Sequence, residues 1–342
     1  MDDPTHMLAE AREAPAAVAR QLAADGTVYA ALAARLRVAG PAGVLTVARG
    51  SSDHAAHYMA YLVMARLGRL VTSLPMSLVT LYSARLKAQG LLSLAFSQSG
   101  QSPDLVAPTR YLREHGATTV AVVNDAASPL AQASEWVLPL HAGAEQSVAA
   151  TKSFITQMVA GARLVAAWEG SADLDAALAG LPEALERAAA TDWSEALPVL
   201  RHTQRLYVIG RGTGHAAVME VALKLKETCG IQAEAFSGAE LRHGPMAIVE
   251  EGYPLLIFAP RGPAQSGLLA LAEDMRARGA RVLLAAPPGT PGAALQLVHT
   301  AHEDLDPIAA VQAFYPMAEA LARARGLDPD RPRHLAKVTR TH

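Results

Sequence analysis

Cysteine occurs once in 342 residues, at Cys229. The chain therefore forms no internal disulfide and cannot supply a four-cysteine zinc or iron–sulfur site by itself. Aromatic residues are also scarce, at 5%, which with the abundance of alanine favours helices packed on sheets over an all-β design. No run approaches the ~20 uninterrupted apolar residues of a membrane span. The start, Met1-Asp2-Asp3-Pro4, is acidic where a secretory signal is basic. These two absences predict a cytoplasmic protein with no membrane partner. Neither sign of charge dominates, with 30 Lys plus Arg against 32 Asp plus Glu. That balance lacks the basic surplus of a nucleic-acid binder, so no nucleic-acid partner is expected.

What is present is ample core material. Apolar residues make up 51% and charged residues 18%, and the length suits two domains at ~150 residues each. Residues 7–37 contain few helix breakers and read as one long helix ended by Gly40-Pro41. Strands are expected at 44–48, 70–74, 91–96, 118–123 and 136–140, with helices over 53–67 and 103–115. Arg49-Gly50-Ser51-Ser52 reads as a turn. Strands alternating with helices predict a parallel sheet covered on both faces.

The pattern then recurs. Val44-Leu45-Thr46-Val47-Ala48-Arg49-Gly50-Ser51 matches Leu206-Tyr207-Val208-Ile209-Gly210-Arg211-Gly212-Thr213 at an offset of 162, and Leu94-Ala95-Phe96 matches Leu256-Ile257-Phe258 at the same offset. The next strand follows Gly116 in one copy and Gly279 in the other, one residue out of step. A near-constant offset over three strand positions marks a duplication. The expected architecture is α/β, with two tandem doubly wound, flavodoxin-like parallel-sheet domains. Its expected boundaries are a helical arm at 1–40, domains at 41–190 and 191–328, and a tail at 329–342. Between the copies, residues 172–203 read as amphipathic helices broken near Gly180-Leu181-Pro182 and Leu197-Pro198.

In open α/β sheets ligands bind beyond the carboxyl ends of the strands. Ser97-Gln98-Ser99-Gly100-Gln101-Ser102-Pro103 falls at such an end. It offers the hydroxyls of Ser97, Ser99 and Ser102, a glycine for close approach, and a proline suited to the first position of a helix. A helix N-terminus behind such a loop favours a phosphate without a lysine. The plainer reading is a Ser-rich turn with Ser102 as an ordinary helix cap. The loop is not G-x-x-x-x-G-K-[ST], so a nucleoside triphosphate site is not indicated, and no G-x-G-x-x-G follows the first strand. The second copy carries Ala259-Pro260-Arg261-Gly262 at the matching place, which implies that only the first copy binds the anion.

Glu220, Lys224 and Glu227 lie at i, i+4 and i+7 of an expected helix and so share a face. Such a set is either a solvated ion-pair stripe or, lining a cleft, a proton-transfer group with His243 nearby in sequence. His54 and His57, three apart, could chelate, but no third ligand accompanies them and no metal site is expected.

Together with the Ser loop, four segments resemble the sugar isomerase (SIS) family, in particular the isomerase half of glucosamine-6-phosphate synthase. They are Glu145-Gln146-Ser147-Val148-Ala149-Ala150-Thr151-Lys152, Ala222-Leu223-Lys224-Leu225-Lys226-Glu227, Gly238-Ala239-Glu240-Leu241-Arg242-His243-Gly244-Pro245 and Asp330-Arg331-Pro332-Arg333-His334-Leu335-Ala336-Lys337. The resemblance implies that Ser51, Ser52, Ser97, Gln98, Ser99 and Ser102 hold a sugar phosphate, with Val148, Ala150 and Glu220 also at the substrate. It implies Glu227 as the base between C1 and C2, and His243 as the ring-opening group, donated in the family by the other subunit of a homodimer. Lys224 and the tail lysine Lys337 would line the same site. No cofactor is implied.

The match departs from glucosamine-6-phosphate synthase in two places. That enzyme carries a glutaminase domain with a cysteine after the initiator Met, where this chain has Asp2, and a serine where this chain has Ala150. The segment around Ala150 is closer to the stand-alone deaminases of the family. The expectation is therefore a glucosamine-6-phosphate deaminase. Alternatives are a fructosamine-6-phosphate deglycase, an aldose–ketose isomerase and a non-catalytic sugar-phosphate sensor. The sensor would need a helix-turn-helix that residues 1–40 do not supply.

Overall fold

The computed structural model describes residues 4–337. Two compact units emerge from the internal contacts. Among the described residues, one comprises 16–145, 152–179 and 336–337; the other comprises 4–15, 146–151 and 180–335.

Helix α1 (His6–Ala23) opens the chain and α2 (Gly26–Ala39) follows. The single long helix expected over 7–37 is thus two. The break is Asp25, in the left-handed region at φ 57°, where its carboxylate meets His141 Nε2 at 2.5 Å. An Asp tolerates this conformation because its short polar side chain can bond locally. The first unit continues through β1 (Val44–Val47), α3 (Gly50–Leu67), β2 (Val71–Ser73), α4 (Ser77–Thr80), β3 (Leu92–Ser97), α5 (Pro103–Glu114), β4 (Thr118–Val123), α6 (Pro129–Ala133), β5 (Trp136–Pro139), α7 (Lys152–Glu169) and α8 (Ala172–Ala179). Its sheet is wholly parallel in the order β2-β1-β3-β4-β5. Every residue of β3 is buried, as a central strand covered on both faces requires.

The second unit contains α9 (Leu181–Ala189), α10 (Ala196–Leu200), β6 (Arg205–Gly210), α11 (Gly214–Cys229), β7 (Gln232–Ser237), β8 (Pro254–Phe258), α12 (Gln265–Ala277), β9 (Arg281–Ala286), β10 (Leu295–Gln296) and α13 (Asp306–Ala324). Its parallel order is β10-β9-β8-β6-β7, which read from the other edge is the order of the first sheet. Register repeats as well. Leu45 pairs with Ser93 and Tyr207 with Leu255; Thr46 pairs with Ser73 and Val208 with Ala235. Each pair of equivalents differs by the offset of 162 read from the sequence.

The unit boundaries do not follow the chain-order division into 1–40, 41–190, 191–328 and 329–342. Residues 146–151 join the second unit, because the Gln146 and Ser147 amides donate to the Glu10 carboxylate and the Val148 amide to the Asp330 carbonyl. Asp330 in turn accepts the His6 and Met7 amides, both at 2.7 Å, and so satisfies the free N-terminus of α1. Backbone satisfaction by two carboxylates, rather than chain order, assigns these segments.

Candidate functional site

In the first sheet the strand order reverses between β1 and β3, so the crevice for a ligand lies beyond their carboxyl ends. Both Ser-bearing segments emerge there. Ser97, the last residue of β3, accepts the Gly100 amide on Oγ at 3.0 Å, and Ser99 Oγ accepts the Gln101 amide at 3.3 Å. Gly100 sits at φ +63°, where a Cβ would fall 2.2 Å from Ser128 Oγ, so only glycine fits. The half-buried Gln98 accepts the Asn124 amide on its carbonyl. Ser102 stands at the cap position of α5 with Pro103 behind it, yet its side chain caps no amide. The plain capping role considered for it is therefore not what its hydroxyl does. Asp104, in the first turn of α5, is buried and paired with Arg49 Nε at 3.1 Å.

The turn expected at Arg49–Ser52 is instead the start of α3, which begins at Gly50. Ser51 and Ser52 occupy its first turn, and Ser52 Oγ accepts from Gln157 Nε2 at 3.0 Å. Gln157 was not anticipated; the available signal was a polar side chain inside the otherwise apolar α7.

The equivalent loop of the second unit is closed. Arg261 donates from Nε and Nη2 to the Asp306 carboxylate at 2.8 and 2.9 Å and to the Thr300 carbonyl at 2.8 Å. Two of its three guanidinium nitrogens, Nε and Nη2, are thereby tied to the start of α13 and its neighbourhood.

On α11 Glu220 and Lys224 are buried and Glu227 is partly exposed, so the solvated-stripe alternative fails. Lys224 Nζ lies 3.3 Å from Glu220 Oε1 and 2.5 Å from Glu227 Oε2, with side-chain exposures of 1%, 0% and 20% in the order Lys224, Glu220, Glu227. Burial alone would lower the Lys224 pKa; the two carboxylates outweigh it and raise it above the ordinary lysine value. Lys224 is thus a fixed cation. Glu220 is sealed beneath it and Glu227 alone reaches solvent, the arrangement of an oriented carboxylate that can take or give a proton.

His243 ends a 3-10 turn, Glu240–His243, and is exposed. It borders a cavity of about 380 Å³ with Arg211, Arg242 and Leu268, and makes no side-chain hydrogen bond or ion pair among the described residues. The structure does not bond it to the α11 group of its own chain. Val148 and Ala150 are half-buried in the segment held by Glu10 and Asp330.

Lys337 belongs to the first unit, where its Nζ is 3.1 Å from Glu145 Oε2. Glu145 is buried and also accepts the Ser153 amide at 3.0 Å and hydroxyl at 2.6 Å, at the N-terminus of α7. Glu145 carries no role in the sequence reading, because its contact with Ser153 spans eight residues across a loop and follows no local spacing rule.

Among the described residues, no group of three or more His, Cys, Asp and Glu is placed to hold a metal ion, and no helix is long and apolar enough to cross a membrane.

Residues 42–167 and 199–288 match the SIS domain. The chain belongs to the SIS family. Among the curated relatives of this SIS protein, the isomerizing glutamine–fructose-6-phosphate aminotransferase of Aeropyrum pernix is 35% identical over 98% of the chain and 57% of its own length. The Streptomyces coelicolor counterpart is 33% identical over 97% of the chain and 58% of its own length. The chain thus spans a little over half of these relatives. Among solved structures, a protein of Silicibacter pomeroyi DSS-3 put forward as a phosphosugar isomerase is 46% identical, with a TM-score of 0.90 over 96% of this chain and all of its own. The glucosamine-6-phosphate deaminase of Thermotoga maritima has a TM-score of 0.79 at 21% identity, which is a likeness of fold.

Proposed function

We propose that this SIS protein is an aldose–ketose phosphosugar enzyme, and specifically a glucosamine-6-phosphate deaminase. The observation that carries the proposal is the buried Glu220–Lys224–Glu227 set, in which one carboxylate is left facing solvent beside a permanent cation. The Ser97–Ser102 loop supplies the phosphate anchor, with Ser51 and Ser52 in the first turn of α3 at the neighbouring strand end.

In this reading His243 assists ring opening of glucosamine 6-phosphate. Glu227 removes the C2 proton and a proton returns at C1, so the aldehyde becomes a hydroxymethyl group and C2 becomes an imine. Water adds to that imine and ammonia departs, leaving fructose 6-phosphate. Lys224 stabilises the oxyanion that develops as the C2 proton leaves, and Lys337 contributes a second cation from the tail. The exposed, unpaired His243 supports its donation to a partner chain, hence a homodimer with the histidine supplied across a two-fold interface.

The test is a coupled assay on glucosamine 6-phosphate that records fructose 6-phosphate and ammonia separately, with no glutamine present. Equal release of both is the expected result. A ketose formed without ammonia from a non-amino aldose phosphate would replace the deaminase with a plain isomerase. Turnover of neither substrate class would reject the catalytic reading.

A further inference from the structure

The second unit carries a cavity of about 490 Å³ bordered by Arg201, His202, Gln204, Cys229, Arg325 and Arg333, among others, with no carboxylate in its wall. Its volume lies within the range of small-molecule sites. The helices α10, α11 and α13 end beside it, at Leu200, Cys229 and Ala324. Their terminal carbonyls attract cations, which is the plain reason for basic residues to gather there.

That demand is met by one residue. Arg325 donates from Nε to the Cys229 carbonyl at 2.7 Å, and from Nη1 to the carbonyls of Leu200, Arg201 and Thr203 at 3.3, 2.7 and 2.8 Å. Arg201, His202 and Arg333 are left over. Their side chains make no hydrogen bond or ion pair among the described residues, and all three are exposed. Three unengaged donors, two of them guanidinium forks, converge on a cavity that holds no negative charge to answer them.

We propose that this cavity binds a small phosphate-bearing anion through Arg201, His202 and Arg333. Guanidinium groups match phosphate oxygens in a bidentate fashion, and imidazole adds a directional donor. The site shares no residue with the phosphate loop of the first unit. It is also separate from the α11 carboxylate group: Cys229 is two residues beyond Glu227, about 200° around the helix, and its thiol meets the Ala318 carbonyl of α13 at 3.4 Å. Arg333 lies four residues ahead of Lys337 in the chain, so an occupant that engages Arg333 restrains the segment leading to the tail lysine. The site is suited to an effector rather than to a substrate.

The proposal is tested by calorimetric titration of pyrophosphate into the Ser97→Ala/Ser99→Ala variant, from which the loop hydroxyls have been removed. One site is expected to remain. Adding Arg201→Gln and Arg333→Gln is expected to weaken it at least tenfold with an unchanged melting temperature, since both side chains are exposed. Should that variant unfold, the imidazole nitrogens of His202 in the intact chain provide the readout, by an NMR shift that saturates with pyrophosphate. Binding that is indifferent to Arg201 and Arg333, or no binding and no His202 shift, overturns the proposal. Neither result depends on whether the protein is a deaminase.

Discussion

Lys337 Nζ rests 3.1 Å from a carboxylate, Glu145, that also accepts the amide and the hydroxyl of Ser153. One acid therefore holds the start of α7 and the tail lysine together. Removing its charge with Glu145→Gln is expected to leave the Ser153 contacts largely satisfied and to release Lys337. Turnover should fall about tenfold or more, equivalent to at least ~1.4 kcal/mol of barrier, with a smaller change in KM. Trypsin cleavage after Lys337 should accelerate in the same variant. Unchanged turnover together with unchanged cleavage would show that the pair orders nothing that matters.

Glu227→Gln is expected to abolish exchange of the substrate C2 proton with solvent, a loss of about 10²–10⁴-fold, while sugar phosphate still binds. His243→Ala should be inactive for a different reason. Mixing refolded subunits of the two inactive variants should recover about a quarter of wild-type activity, since half the dimers formed at random carry one intact site of two. No recovery on mixing would place His243 in its own chain's site.

The Ser97→Ala/Ser99→Ala variant removes two hydroxyls while Gly100 keeps the backbone path. KM for the phosphorylated substrate is expected to rise with little change in kcat, the signature of lost uniform binding. Steady-state kinetics decide this, and an unchanged KM would make the loop a structural turn.

Lys224 neutralises a glutamate with no solvent access. Lys224→Met should destabilise the fold by about 3–5 kcal/mol, as when one partner of a buried pair is removed. Replacing Glu220 with Leu in the same chain should restore much of that loss. Urea denaturation of the two single variants and the double variant measures it as a cycle, and strict additivity would mean that the pair is not coupled.

His57 is held below the ordinary histidine value of 6.5, chiefly by burial, with His54 adding to the shift and Asp53 opposing it. A lowered pKa in the folded state means that protonation favours unfolding. The contribution of neutral His57 is complete above about pH 6.5 and lost as pH falls toward its folded value. The melting temperature should drop between pH 7.5 and 5.5, and the drop should shrink in His57→Gln. A variant with the same slope as wild type would assign the acid sensitivity elsewhere.

Most of the architecture could be read from the chain because buried parallel strands are short apolar runs and because the same run occurs twice. Even the one-residue slip after the third strand position reappears in the sheet, where Ser93 pairs with Thr119 and Leu255 with Val282. The break at Asp25 could not be read so, since it depends on a residue 116 positions away, His141. The grouping of residues 146–151 with the second unit rests on Glu10 and Asp330, again distant in sequence. Local pattern encodes strands and helix faces. It does not encode which remote carboxylate will satisfy a given amide.

The Arg261–Asp306 clasp also accounts for how the two halves have diverged. A guanidinium tied through Nε and Nη2 to Asp306 and Thr300 is committed to the fold of its own unit. On the proposed function, the first half keeps the binding loop and the second the reactive helix. Similarity between the halves survives in strands, in register and in the Arg-Gly step after the first strand of each, and is lost in the loop after the next, the mark of an ancestral repeat whose copies became specialists.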